Sequence, residues 1–194
     1  MRLPVTYVTS ATGGELWGPD ATVDGACIDS RLIRPGQLFI ALRGARDGHD
    51  FVDAALAGGA AACLVERRPR SGTCIVIPDT FVGLTALATA ARERLPARVI
   101  GVTGSVGKTS TKDLLAAALA RRWRVSASPK SFNNELGVPL TVLETPDDTE
   151  VVVVEMGARG QGHVASLCEV ARPLVGVVTT VGVSHAEFLS LIHI

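Results

Sequence analysis

The chain has 194 residues, 47% of them hydrophobic, with 20 glycines, 10 prolines and a formal net charge of zero. That length holds one large or two small domains, and the composition is that of a soluble globular α/β protein. No excess of one charge points to a nucleic-acid or acidic-membrane partner, and no run of about 18 apolar residues predicts a membrane span.

The N-terminus "MRLPVTYVTSATGG" lacks an apolar core of signal-peptide length, so a cytoplasmic protein is expected. Residues 1 to about 80 read as short strands and turns: "ACIDSR", "GQLFIAL", "AACLVE" and "TCIVIPD". A helical piece, "HDFVDAALAGGA", lies between the second and third. The pattern predicts a small α/β domain over 1–80. In "DTFVGLTALATAARERLP", Asp79 or Thr80 caps a helix with Phe81, Leu84, Leu87 and Ala91 on one side. Pro96 ends it, and 81–97 is expected to link two domains. The second, 98–194, alternates strand and helix: strands "RVIGVT", "WRVSAS", "EVVVVEM" and "LVGVVTTV", helices "GKTSTKDLLAAALARR", "LGVPLTVLE" and "GHVASLCEVA". Val runs between helices predict a parallel sheet covered on both faces, with ligands at the carboxyl ends of its strands.

Cys27, Cys63, Cys74 and Cys168 form no C-x-x-C pair and no zinc spacing, and read as small buried hydrophobes in a reducing compartment. The chain is strongly arginine-biased: Lys108, Lys112 and Lys130 are its only lysines. A lysine inside a glycine-rich loop is therefore informative. That loop is "GVTGSVGKTSTKD", residues 101–113. It departs from the strict G-x-x-x-x-G-K-[ST] spacing, because Val102 stands at the first glycine position. The physics survives the change. Gly101, Gly104 and Gly107 let backbone N–H groups approach phosphate oxygens, and the following helix aims its positive end there. Lys108 can reach the β- and γ-phosphates, and Thr109 can offer a hydroxyl to Mg²⁺.

"TGSVGKT" resembles the variant loop of the Mur ligase family, ATP-dependent amide-bond-forming enzymes of peptidoglycan synthesis. "SFNNELGVPLTVL", "VVVVEMGARGQGHVASLCEVARP" and "TTVGVSHAE" are similar to further stretches of the family. "DSRLIRPGQLFIALRGARDGHDFVDAALAGGAAACLV" resembles its nucleotide-sugar-binding domain. The likeness covers most of residues 22–187 and is specific in combination. It implies a UDP-binding first domain and an incomplete P-loop-type ATPase domain. "GKTSTKD" and "FNNELGVPLT" look like the member that adds D-alanyl-D-alanine to UDP-N-acetylmuramoyl-tripeptide. The implied roles are cell-wall biogenesis, cell shape and division, by a monomer. The rivals are the ligase that adds the third residue, which shares D-S-R and D-G-H-x-F, and a non-catalytic P-loop module.

The resemblance assigns ATP to Thr103, Gly104, Ser105, Val106, Gly107, Lys108, Thr109 and Ser110, with Asn133 and Asn134 shaping the pocket. It assigns magnesium to Thr109, Glu155 and His185, and catalysis to Lys108, Glu155 and His185. An imidazole is an uncommon Mg²⁺ ligand, so His185 rests on the family pattern alone. Lys130 could neutralise phosphate or be a solvated loop lysine. Ser30 and Arg31, a hydroxyl and a forked guanidinium, suit the UDP diphosphate. Asp47, Gly48 and His49 shape the substrate side of the first domain or cap a helix. His163 and the tryptophans read as structural.

The family continues past the histidine with an activated lysine and a C-terminal domain. "FLSLIHI" after Glu187 resembles neither, so this chain is expected to be a truncated N-terminal part, inactive and poorly stable alone.

Overall fold

The computed structural model describes residues 1–182. They form two compact units that divide between Ala90 and Ala91. The division falls inside the helix that the sequence places between domains.

The first unit begins with strand β1 (Arg2–Pro4), helix α1 (Val5–Thr12), and strands β2 (Glu15–Trp17), β3 (Thr22–Asp24) and β4 (Ala26–Cys27). Sequence reading leaves 1–24 without elements, because three-residue strands carry too little periodicity to register. β5 (Leu38–Ile40) is followed by a 3₁₀ turn (Gly48–Phe51), α2 (Val52–Ala57), β6 (Ala62–Val65) and β7 (Cys74–Val76). The sheet order is β2-β7-β6-β5-β4, and β1 pairs separately with β3. β4 to β7 are parallel, and β2 joins β7 antiparallel. One face of the sheet packs Phe39, Ala41, Cys63, Val65 and Cys74 against Val52 and Ala55 of α2.

α3 (Thr80–Arg94) is capped by Asp79, whose Oδ1 accepts from the N–H groups of Phe81 and Val82. Thr80 is instead buried, its hydroxyl donating to the Ala41 carbonyl. Leu84, Leu87 and Ala91 are buried as expected, but Phe81 is 41% exposed. It stands in the first turn, at the edge of the stripe that Leu84, Ala88 and Ala91 form.

The second unit holds β8 (Arg98–Thr103), α4 (Lys108–Leu119), β9 (Val125–Ala127), α5 (Gly137–Glu144), β10 (Val151–Glu155), α6 (His163–Ala171) and β11 (Val175–Val178). The order is β11-β8-β10-β9, every pair parallel. β10 is buried along its whole length. β11 corrects an expectation: read as a buried strand, it has Val175 49% and Val178 60% exposed. Among the described residues it pairs with β8 alone, so one edge has no neighbour. The cysteines are all free, but only Cys63 and Cys74 are fully buried; Cys27 and Cys168 are half-buried.

Candidate active site

In the second unit, parallel pairing aligns Glu155 with Val102 on the neighbouring strand. The last residue of β10 thus lies beside the exit of β8, at the carboxyl edge of the sheet. The glycine loop leaves β8 there. Gly104 has φ +133°, and a Cβ on it would come within 2.9 Å of both the N and O atoms of Thr180. No larger residue fits without moving backbone.

The loop is clasped to the segment after β11. Ser105 N–H donates to the Thr180 carbonyl (2.9 Å), Val106 N–H to the Thr180 hydroxyl (3.2 Å), and Thr179 Oγ1 to the Val106 carbonyl (2.7 Å). Two N–H groups expected to face phosphate are therefore engaged within the protein. Among the described residues, nothing accepts from the N–H groups of Lys108, Thr109 and Ser110 at the start of α4. These orphan donors, with the helix dipole behind them, have the chemistry to hold an anion. Lys108 bends back over it, donating to the carbonyls of Gly104 (2.7 Å) and Ser105 (3.4 Å).

Glu155 is 1% exposed. Its Oε2 accepts from the Thr109 hydroxyl (2.8 Å) and its Oε1 from Asn133 Nδ2 (2.8 Å), while its N–H donates to Ser128 Oγ (3.1 Å). One carboxylate therefore joins the helix of the glycine loop to the loop after β9. The two oxygens of Glu155 and the Thr109 hydroxyl form a hard-oxygen cluster, which is the donor chemistry that Mg²⁺ takes. Three protein oxygens and no soft ligand fit an ion that keeps several waters. No larger group of His, Cys, Asp and Glu is assembled among the described residues. His185, the other expected ligand, lies outside the described residues.

The asparagine pair splits. Asn133 faces Glu155, but Asn134 Oδ1 accepts from the N–H groups of Leu136 (3.3 Å) and Gly137 (2.8 Å), capping α5. Of the two asparagines expected to shape an ATP pocket, Asn134 thus has its acceptor engaged at the start of the helix. Lys130 contributes its backbone, with φ 49° and its carbonyl turned toward Lys112. Lys112, given no role in the sequence reading, is buried beside the site and donates to the carbonyls of Ser128 (2.8 Å) and Lys130 (2.9 Å). The arginine bias was the available signal, because Lys112 is the second of only three lysines.

In the first unit, the Arg31 guanidinium is forked onto Asp29, with Nε 2.9 Å from Oδ1 and the second nitrogen 2.6 Å from Oδ2. The Arg31 side chain and backbone N–H together hold the Asp29 carboxyl down at about 2. Part of the fork expected to meet a diphosphate is thus used internally; Ser30 sits half-buried beside it in the turn. Asp47, Gly48 and His49 take the capping role. Asp47 Oδ1 accepts from His49 N–H (3.0 Å) and lies 2.6 Å from His49 Nδ1, and Glu66 N–H donates to His49 Nε2 (2.8 Å). Nε2 accepts, so Nδ1 carries the ring proton and donates to Asp47. Both ring nitrogens are engaged within the protein, which leaves His49 no ring nitrogen to offer a substrate in this arrangement. The backbone and ring of His49, then Arg67, hold the Asp47 carboxyl well below the usual carboxylate range. Gly48 is required by packing: a Cβ would lie 2.6 Å from the Leu42 carbonyl oxygen.

A parallel sheet with a glycine loop, an N-terminal helix lysine and a strand-end carboxylate defines a nucleotide-binding unit of the P-loop type. Residues 22–123 match the family model described as "Mur ligase family, catalytic domain", and 102–193 match "Mur ligase middle domain". The chain belongs to the Mur ligase family. It is 43% identical over 197 residues to the UDP-N-acetylmuramoyl-tripeptide--D-alanyl-D-alanine ligase of Bacillus subtilis, a match spanning 97% of this chain and 43% of that protein. Its fold is similar to crystal structures of MurF from Acinetobacter baumannii (TM-score 0.87, 30% identity, 97% of this chain and 43% of that one) and of MurF ligase from Thermotoga maritima in complex with ADP (TM-score 0.74, 38% identity, 86% and 39%). The chain thus spans less than half the length of these relatives.

Proposed function

We propose that this chain carries the nucleotide-sugar-binding and ATP-binding units of an ATP-dependent ligase that joins D-alanyl-D-alanine to UDP-N-acetylmuramoyl-tripeptide in peptidoglycan precursor synthesis. The observation that supports it is the convergence of Lys108, Thr109, Asn133 and Glu155 at one sheet edge, beside three orphan helix N–H groups. In this reading the tripeptide's terminal carboxylate attacks the γ-phosphorus of ATP, giving an acyl phosphate and ADP. The amine of the dipeptide then attacks the acyl carbon, loses a proton and expels phosphate.

The N–H groups of Lys108, Thr109 and Ser110 hold the phosphates through the helix terminus. Lys108 leaves the Gly104 carbonyl and turns its charge onto the transferring phosphoryl group. Thr109 and Glu155 would hold a magnesium ion, and when bound it neutralises charge developing on the phosphate oxygens. Asn133 fixes the Glu155 carboxylate so that its oxygens need no reorganisation. Ser30 and Arg31 are the residues proposed to meet the UDP part. The site of action is the cytoplasm; no helix among the described residues is long and apolar enough to cross a membrane.

The test is calorimetric titration of the chain with ADP and Mg²⁺. Lys108→Ala removes a charge-assisted contact of about 1.5–3 kcal/mol and should weaken binding by about 10–100-fold. Unchanged affinity would overturn the assignment of the loop. UDP-muramoyl-tripeptide should bind more tightly than the dipeptide precursor; the reverse order would favour the third-residue ligase.

A further inference from the structure

Lys112 stands one helical turn after Lys108 and is 2% exposed. A lysine is almost never fully buried unless its amine is matched by acceptors. Here Nζ has three: the carbonyls of Ser128 (2.8 Å) and Lys130 (2.9 Å), and Asp113 Oδ1 at 3.1 Å. All three of its donors are satisfied. Both carbonyls belong to the segment after β9, and Lys130 accepts from a left-handed backbone, φ 49°, that disfavours a non-glycine residue. A buried amine thus helps hold a strained stretch of chain.

That stretch leads to the metal-side residues. Ser128 Oγ accepts from the Glu155 N–H, and three residues beyond Lys130 the Asn133 amide donates to the Glu155 carboxylate. The Asn133 carbonyl in turn accepts from Gly157 N–H at 2.7 Å. Among the described residues Lys112 Nζ bonds neither Glu155 nor the N–H groups at the start of α4, and both carbonyls it holds off its own helix are on the segment that fixes Glu155.

We propose that Lys112 is a positioning residue: it locks the 128–134 segment, and through Asn133 it sets the orientation of the Glu155 carboxylate toward a magnesium–nucleotide complex. The inference rests on the nucleotide reading of this site. It separates two lysines that differ by one turn. Lys108 acts on phosphate, and Lys112 acts on the metal side alone.

The experiment measures ADP affinity with and without Mg²⁺ for the chain and for Lys112→Met, Asn133→Ala and the double variant, alongside the melting temperature of each. Losing support behind a metal ligand costs about 10–100-fold in metal affinity. Lys112→Met should therefore lose the Mg²⁺ enhancement of ADP binding by that factor, while Mg²⁺-free affinity stays within about 2-fold, the phosphate face being untouched. Asn133→Ala should lose the same enhancement, and the double variant should lose no more than either alone, because one path carries both. A folded Lys112→Met with a lowered melting temperature and an intact Mg²⁺ enhancement would reduce Lys112 to a structural residue. An equal loss with and without Mg²⁺ would overturn the metal-side assignment. Should Lys112→Met not fold, Asn133→Ala with a full Mg²⁺ enhancement overturns the proposal by itself. Failure of the unsubstituted chain to bind ADP under any condition would instead sink the nucleotide reading.

Discussion

Replacing Glu155 separates its structural from its chemical role. The side chain is buried and accepts two hydrogen bonds, from Thr109 and Asn133, each 2.8 Å long. In Glu155→Gln the volume is kept. The Thr109 hydroxyl can still donate to the amide oxygen, and the Asn133 amide can rotate to accept from the new NH₂ group. Two charge-assisted bonds become two neutral ones, a loss of about 1 kcal/mol each. Removing a buried carboxylate returns a desolvation penalty of at least that size. The expected net change is within about 1 kcal/mol of zero. In Glu155→Ala both donors lose their acceptor at a cost of about 1–3 kcal/mol each, so destabilisation of about 2–6 kcal/mol follows. For a unit of this size each kcal/mol moves the melting temperature by about 4–8 °C. Thermal unfolding followed by circular dichroism should thus rank Glu155→Gln near the unsubstituted chain and Glu155→Ala at least about 8 °C below it. Both variants should lose Mg²⁺-enhanced ADP binding. Equal melting temperatures for the two variants would refute the reasoning, because the buried donors would then have found other partners.

Further expectations concern the rest of the chain. Gly104→Ala places a Cβ at φ +133° against the Thr180 backbone, and should cost about 1–3 kcal/mol from the backbone conformation alone, read in urea unfolding, and impair ADP binding. Leu143→Ala, in a buried position on α5, should cost about 2–5 kcal/mol in the same assay. Asp29 has its pKa depressed from 3.8 to about 2 by Arg31, so its contribution is present above pH 3.8 and lost as pH falls through about 2. Asp29→Asn should therefore lower the melting temperature at pH 6 and flatten its pH dependence across that window; an unchanged slope would count against the Asp29–Arg31 fork. Burial pushes the Cys63 thiol up to about 12, so a thiol reagent at pH 8 should label Cys63 only after unfolding, as mass spectrometry of the modified peptides would report.

The second unit was largely legible in the sequence. Four strand-like runs, two of them Val-rich, alternate with helices there, and β8 and α4 match the reading at the level of the loop. Length and regularity made that possible for β8, β10 and the helices, while the three-residue β9 was placed by its position between them. The first 24 residues were not legible, because pairing between β1 and β3 involves strands of three residues each. In the candidate site, residue types pointed to the loop but not to which of its atoms are free. Nothing in "SFNNEL" distinguishes the asparagine that caps α5 from the one that holds Glu155. Nothing in "DSR" shows that Asp29 already occupies the arginine. Local hydrogen bonds compete for the same polar groups that a ligand would use, and the outcome depends on backbone geometry.

The strand order β11-β8-β10-β9 also carries a consequence for synthesis on the ribosome. The two central strands, β8 and β10, are separated in sequence by α4, β9 and α5, and β11 returns to β8 only after α6. A nascent chain that has emerged as far as the glycine loop has no partner for β8. On the proposed nucleotide reading, the helix terminus exists before the carboxylate that completes the site. Nucleotide therefore has nothing complete to grip until Glu155 has emerged, and early chains gain no protection from it. Non-local parallel pairing is slow to form. Codon positions between the loop and Glu155 are thus where a pause in translation would leave β8 exposed longest, and where chaperone contact would matter most.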